Sequence, residues 1–229
     1  MGYNLEYTFR FRDVFSYQDL LLEGALLTLQ LTGLAIIFGV IIGVLGAAIK
    51  NSQFWQLRWI VGVYVEVIRN TPLLVQLFIL FFGLPSIGIK LGAITAATIA
   101  LSINLGAYLI EIIRAGIEAI AKSQVEAGLC LGMSRYQLFR YVILFPALKM
   151  IYPAATSQFV LLLVASSVCS LVGAVDLFHA GAFIESRTFR SLEAYLVITV
   201  LYLLMALFFR AAFAVVYHFV FVQRYGTGR

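Results

Sequence analysis

The sequence predicts an all-α integral membrane protein, one domain of five membrane-crossing helices. Hydrophobic residues make up 62% of its 229 residues and charged residues only 12%, where a soluble domain carries roughly 25% charged residues. Mean hydropathy is +0.99, so the chain lacks the polar surface needed to face water on every side. The charges are also spaced to leave long clear runs, close to the ~20 residues a helix needs to cross about 30 Å of hydrocarbon.

The first such run covers residues 24–49, between Glu23 and Lys50. It is too long for the apolar core of a signal peptide and is read as a retained span over about 22–49. The second span, about 59–83, is uncharged from Trp59 to Phe82 apart from Glu66 and Arg69, and Pro72 is expected to kink it. The third, about 91–113, grows from the uncharged run 91–110. The fourth, about 150–175, fills the gap between Lys149 and Asp176. The fifth, about 194–218, continues past Arg210.

Five crossings put the two ends of the chain on opposite sides. On one side fall Lys50, Arg58, Arg114, Lys122, Arg135, Arg140, Lys149, Arg210, Arg224 and Arg229; on the other fall Arg10, Arg12, Lys90, Arg187 and Arg190. The positive-inside rule places the richer set in the cytoplasm and the N-terminus outside. The formal charge of +5 is therefore read as a topology signal and not as nucleic-acid binding.

The loop 114–149 then lies inside. Ser123-Gln-Val-Glu126 reads as a capping box opening a helix over 124–131, which Gly132 ends in a left-handed conformation. Ser134-Arg-Tyr-Gln137 reads as a second capping box, opening a helix over 135–144 that Pro146 stops. Leu129, Leu131, Met133, Tyr136, Phe139, Val142 and Ile143 make this loop partly apolar. Two readings stand: the loop packs on its own spans, or it presents an apolar knob framed by Arg135 and Arg140 to a cytosolic partner.

Other chemistries find little support. Cys130 and Cys169 form no CxxC, His179 and His218 stand apart from any nucleophile–base arrangement, and no GxxxxGK[ST] phosphate loop occurs. An intramembrane enzyme is disfavoured on these grounds. An ion-coupled secondary transporter remains the alternative transport reading. It is disfavoured because five spans do not divide into repeats and Glu66 is the only carboxylate away from the ends of a span.

Three segments carry a family resemblance. Glu126-Ala-Gly-Leu-Cys-Leu-Gly132-Met-Ser-Arg-Tyr-Gln-Leu-Phe139 resembles the EAA loop of ABC-importer permeases. The run Tyr64 to Pro85 is similar to the second-span signature of the polar amino acid uptake branch, and Ala100 to Arg114 to its third span. Further similarity, through Phe183–Tyr195, brings the resemblance to roughly residues 20–205.

The resemblance implies a bacterial inner-membrane permease with the type I ABC importer fold and a cytoplasmic coupling helix between its third and fourth spans. Two such subunits would pair, as a homodimer or heterodimer. Two cytosolic ABC ATPase subunits would dock on Glu126, Ala127, Gly132, Met133, Ser134 and Phe139. An extracytoplasmic binding protein would deliver an amino acid. The permease itself would bind no cofactor, ATP and magnesium being used by the ATPase, and would have neither catalytic residues nor a metal site.

Three departures from the family pattern stand out. Gly128 replaces the usual alanine, which should weaken the first loop helix by up to about 1 kcal/mol. The closing proline is displaced by one place to Pro146. Where the fourth span usually reads Lys-Asp-Thr-Ser-Leu, this chain has Val164-Ala165-Ser166-Ser167-Val168. Without those charges, a cationic side chain entering the pathway would meet no carboxylate, at a cost of several kcal/mol. Asn104, Gln158, Ser166, Ser167 and Ser170 are instead candidate groups for a neutral or acidic amino acid, with Gln158, Ser166 and Ser170 near one helical face; alternatively, small residues here simply let helices pack closely. Glu66 and Arg69, three apart on the second span, are further pathway candidates, or else an internal ion pair.

Overall fold

The computed structural model describes residues 8–222; Arg224 and Arg229, counted above among the inner basic residues, lie outside that range. A short helix α1 (Phe11–Phe15) precedes α2 (Gln18–Lys50), which at 33 residues is about 50 Å long. Then come α3 (Trp55–Arg69), α4 (Leu73–Phe78), α5 (Ala93–Glu118), α6 (Lys122–Cys130), α7 (Arg135–Gln137), α8 (Leu144–Ala165), α9 (Leu177–Thr188) and α10 (Ser191–Tyr217). Among the described residues, four helices are long and apolar enough to cross a membrane; the bent pair α3–α4 makes a fifth when counted as one span.

The bundle is organised on α2 and α5, which share the most extensive contact in the fold. Along α2, Gly24, Thr28, Leu31, Thr32, Ala35, Gly39, Gly43, Gly46 and Ala47 are buried, at spacings of mostly three and four that keep them on one face. The glycines let α5 approach: a Cβ built on Gly39 would lie 2.7 Å from Leu105, on Gly43 2.6 Å from Leu109, and on Gly46 closer still to Ile110. Gly106 returns the arrangement from α5, its built Cβ meeting Ile42 at 2.5 Å. In lipid, such close backbone approach replaces the hydrophobic driving force available in water. The opposite face of α2 exposes Leu22, Leu26, Leu34, Ile37, Phe38, Ile41, Val44 and Leu45.

The second span does more than kink. Its two halves, Trp55–Arg69 and Leu73–Ile87, are bent by 108°. Pro72 opens the second half, and beyond α4 the chain winds through a π turn (Ile79–Gly83) and a 3-10 turn (Leu84–Ile87). Three carbonyls in the last turn of α3 accept from side chains. Asn70 Nδ2 donates to Glu66 O at 2.8 Å, Thr71 Oγ1 to Val67 O at 2.8 Å, and Gln76 Nε2 to Ile68 O at 2.8 Å. A break at membrane depth is tolerated where its backbone groups are satisfied in this way.

Pro146 does not stop the second loop helix. A π turn over Leu138–Ile143 joins α7 directly to α8, so one helical path runs from Arg135 to Val172. The π turn ends at Ile143, so Pro146 falls in the first turn of α8, where a missing N–H is accommodated without ending the helix. The long loop is correspondingly more helical than its charges suggest, since α5 extends to Glu118 and α8 starts at Leu144.

Sequence reading also missed α9. Buried Asp176 caps it, accepting from His179 N at 2.9 Å, and Leu177, Ala180, Gly181 and Ile184 bury its inner face. Burial pushes the Asp176 carboxyl up to about 6, against backbone hydrogen bonds that lower it. His179 is half-buried in this helix.

Candidate functional site

The loop helix α6 begins at Lys122 with Ala121 as its N-cap, and no side chain caps it. The expected capping box at Ser123 and Glu126 therefore does not form: Ser123 already lies inside the first turn, and both side chains are exposed. The other end is as expected. Gly132 has φ +74, Gly132 N donates to Leu129 O at 2.9 Å and Met133 N to Gly128 O at 3.1 Å. This paired closure is the Schellman motif, which needs a residue with positive φ at that place. After it, Ser134 and Gln137 form the reciprocal capping box, with Gln137 N donating to Ser134 Oγ and Ser134 N to Gln137 Oε1.

The structure divides the loop's apolar residues into an inner set and an exposed set. Leu138 is buried and Val142 and Ile143 are half-buried, packing the loop on itself. Gly128 belongs to that inner face: a Cβ there would lie 2.5 Å from Leu138 Cδ1. The glycine that weakens the helix thus makes room for Leu138. In contrast Leu131 is 79% exposed and Tyr136 74%, with Leu129 and Phe139 also exposed. Glu126, Ala127, Gly132 and Ser134 are exposed beside them, and Met133 partly so. Large apolar side chains grouped at the tip of a rigid helix–turn–helix form a surface suited to a partner groove.

The second group of candidates surrounds the break between α3 and α4. Asn104 Nδ2 on α5 donates to Gln76 Oε1 at 3.1 Å, and the Gln76 amide also reaches Thr71 O at 3.1 Å and Thr71 Oγ1 at 2.9 Å. One turn along α5, Tyr108 carries the Arg69 guanidinium 5.2 Å from its ring centroid. Glu66 Oε2 accepts from Asn70 Nδ2 at 2.9 Å. Among the described residues Glu66 and Arg69 do not pair with each other, and both are exposed.

Gln76 was not singled out by sequence reading, although it is the only side-chain amide between Thr71 and Pro85. An isolated polar residue within a span is the signal that would have found it. Tyr64 was overlooked in the same way; its hydroxyl donates to Ile103 O on α5.

The serine group is arranged differently from expectation. Ser166, Ser167 and Ser170 lie in a 3-10 turn, Ser166–Val172, that prolongs α8. At 3.0 residues per turn, positions four apart are rotated by about a third of a turn. The single face expected for Gln158, Ser166 and Ser170 does not extend beyond Ala165. Each hydroxyl donates to its own backbone: Ser166 to Leu163 O, Ser167 to Val164 O and Ser170 to Ser167 O, at 2.7–2.8 Å. Ser166 is buried, whereas Gln158, Ser167 and Ser170 are partly exposed. The turn packs on both α4 and α5, beside the helices that carry Gln76 and Asn104, but no hydrogen bond between described residues joins the two polar groups.

Residues 35–221 match the family model of the binding-protein-dependent transport system inner membrane component. The chain is 38% identical over 170 residues to a putative glutamine transport system permease protein of Rickettsia bellii, covering 74% of this chain and 78% of that one. It is 39% identical over 172 residues to the L-cystine transport system permease protein of Bacillus subtilis, covering 75% and 74%. The crystal structure of an amino acid ABC transporter with histidines superposes with a TM-score of 0.88 at 38% identity, over 93% of this chain and 100% of that one.

Proposed function

The chain belongs to the family of binding-protein-dependent transport system inner membrane components, and from that premise we propose how its parts divide the work. It is a multi-pass inner-membrane permease subunit of an amino acid ABC importer and hydrolyses no ATP itself. Five spans cross the membrane, with the N-terminus outside and the loop of α6 and α7 in the cytoplasm. An ATP-hydrolysing subunit docks on the surface around Gly132, two such subunits serving a pair of permease chains. A binding protein delivers the amino acid to the opposite face.

The observation that carries this reading is the tip of the loop. Leu131 and Tyr136 stand almost fully exposed on either side of a glycine held at φ +74. That surface is too apolar to be left in water and too well braced, by the Schellman closure and the Ser134 cap, to be a loose linker.

Cys130, exposed in the last turn of α6, offers a test of side and docking together. A membrane-impermeant maleimide is expected to label it in inverted vesicles stripped of peripheral protein and to spare it in intact spheroplasts. Adding back the ATPase should slow the labelling. Reaction from the outer face would overturn the topology.

The transported amino acid is neutral or acidic rather than cationic. From Met150 to Val175 the fourth span carries no charge, and the polar groups near its outer part are hydroxyls. Asn104 and Gln76 add amides across α5 and α4. Relatives named for glutamine and L-cystine transport agree with this preference. In vesicles containing the complete transporter, ATP-dependent uptake of glutamine should exceed that of arginine by at least about tenfold, since burying an unpaired cation costs well over the ~1.4 kcal/mol that a factor of ten represents. Equal uptake of arginine would overturn this assignment, and uptake without ATP would favour an ion-coupled mechanism.

A further inference from the structure

A second site lies at the loop end of the bundle, away from the pathway residues. There Lys50, Asn51, Trp55, Arg58, Trp59, Arg114 and Glu118 line an open cavity of about 550 Å³ between the end of α2, the start of α3 and the end of α5. The charges are unequal. Glu111 accepts from both Lys50 and Arg114, and Glu118 takes the other arm of Arg114. Those two carboxylates are set against three cations, so one positive charge remains. It sits with Arg58, which has no ion pair among the described residues and is exposed. Lys50 also keeps N–H donors beyond the one given to Glu111.

Trp55, Arg58 and Trp59 are three and four apart, hence on one face of α3. Trp55 is 68% exposed and Trp59 65%, and Phe54, Leu57 and Ile60 around them are exposed as well. Tryptophan is favoured at the level of the lipid headgroups, where its ring meets the acyl boundary and its N–H meets polar groups. The cavity is on the same side as α6, because α5 ends at Glu118 and α6 begins at Lys122.

We propose that this cavity binds the headgroup of an acidic phospholipid from the cytoplasmic leaflet. Its single phosphodiester charge matches the single unbalanced cation, Arg58 and Lys50 donate to the phosphate oxygens, and the two tryptophans lie along the acyl chains. A zwitterionic lipid brings a choline or ethanolamine cation into the same basic rim and is disfavoured. The assignment to the cytoplasmic leaflet rests on the topology of the proposed function; the preference for an acidic headgroup does not.

Trp55 and Trp59 are the chain's only tryptophans, and they report on the cavity directly. The complete transporter is reconstituted with phosphatidylglycerol or phosphatidylcholine brominated on the acyl chain. Subtracting the emission of a W55F/W59F transporter isolates these two side chains from those of partner subunits. Brominated phosphatidylglycerol should reach half-maximal quenching at about fivefold lower mole fraction than brominated phosphatidylcholine, and added salt should narrow the gap. Arg58→Gln should bring the two lipids together. Equal quenching in the unmodified transporter would mean ordinary contact with bulk lipid and would overturn the site. Absence of quenching by either lipid would mean that another protein chain covers this face, and would overturn it as well. Quenching needs no transport, so it is read independently of the uptake result.

Discussion

Valine in place of Gly43 is expected to remove folded permease from the membrane. At this position even the first added carbon would lie 2.6 Å from Leu109 Cβ, and a Cβ cannot swing aside as the end of a side chain can. α2 and α5 must separate, and with them the largest interface of the bundle. Overpacking a well-packed core costs about 1–3 kcal/mol, which is a large share of the roughly 5–15 kcal/mol that holds a typical domain folded. Alanine at position 43 should already lower the melting temperature of the purified transporter. Gly33 supplies the control in the same helix: a Cβ there meets nothing within 4 Å, so Gly33→Ala should be neutral or stabilising, by up to about 1 kcal/mol of helix propensity. At Gly46 the obstacles are Ile110 Cγ1 and Cδ1, which side-chain rotation can move. Gly46→Ala should therefore cost less than Gly43→Ala. If Gly33→Ala and Gly43→Ala shifted the melting temperature alike, the close packing of α2 on α5 would be refuted.

The second large effect is expected at the loop tip. Leu131→Asp combined with Tyr136→Asp should abolish ATP-driven uptake and reduce copurification of the ATPase by about 30-fold or more, the loss typical when anchoring apolar side chains at an interface are removed. Both residues are exposed, so the permease's own melting temperature should not change. Gly132→Val should have the same functional outcome by another route. A β-branched residue at φ +74 is strained by roughly 1–2 kcal/mol, and the turn that aims Leu131 relative to Tyr136 relaxes. Wild-type copurification by the double variant would show that the ATPase docks elsewhere.

These two experiments address parts of the molecule that differed in how far they could be read from the chain. The left-handed turn at Gly132 and the cap at Ser134 were legible because both are local: a glycine after a helix and a Ser-x-x-Gln at its start act within a few residues. The box at Ser123 has the same spacing and does not form. Ala121 already starts the helix, because the chain leaves α5 at Glu118 and turns immediately, and where one helix releases the chain to the next is set by packing rather than by a four-residue pattern. The break at Pro72 could be anticipated as a kink. Its 108° bend could not, since it depends on Gln76 reaching back to the carbonyl of Ile68 and across to Asn104.

The serine turn shows the same division. Its residues stand out in the sequence as polar groups in an uncharged span. Their arrangement on one face assumed α-helical winding, and the 3-10 turn from Ser166 to Val172 changes the angle between them.

Taken alone, the chain determined that the protein lives in lipid, roughly which stretches are apolar enough to cross it, which loop carries the EAA-like motif, and that the fourth span lacks charge. Each follows from local chemistry: the cost of transferring a side chain out of water, and the backbone freedom of glycine. Only the folded arrangement decided which apolar loop residues face outward, which glycines receive a leucine from the facing helix, where the hydroxyls spend their protons, and that Lys50, Arg58 and Arg114 share one cavity. Those outcomes depend on distances between segments tens of residues apart, which close packing sets and no local pattern records.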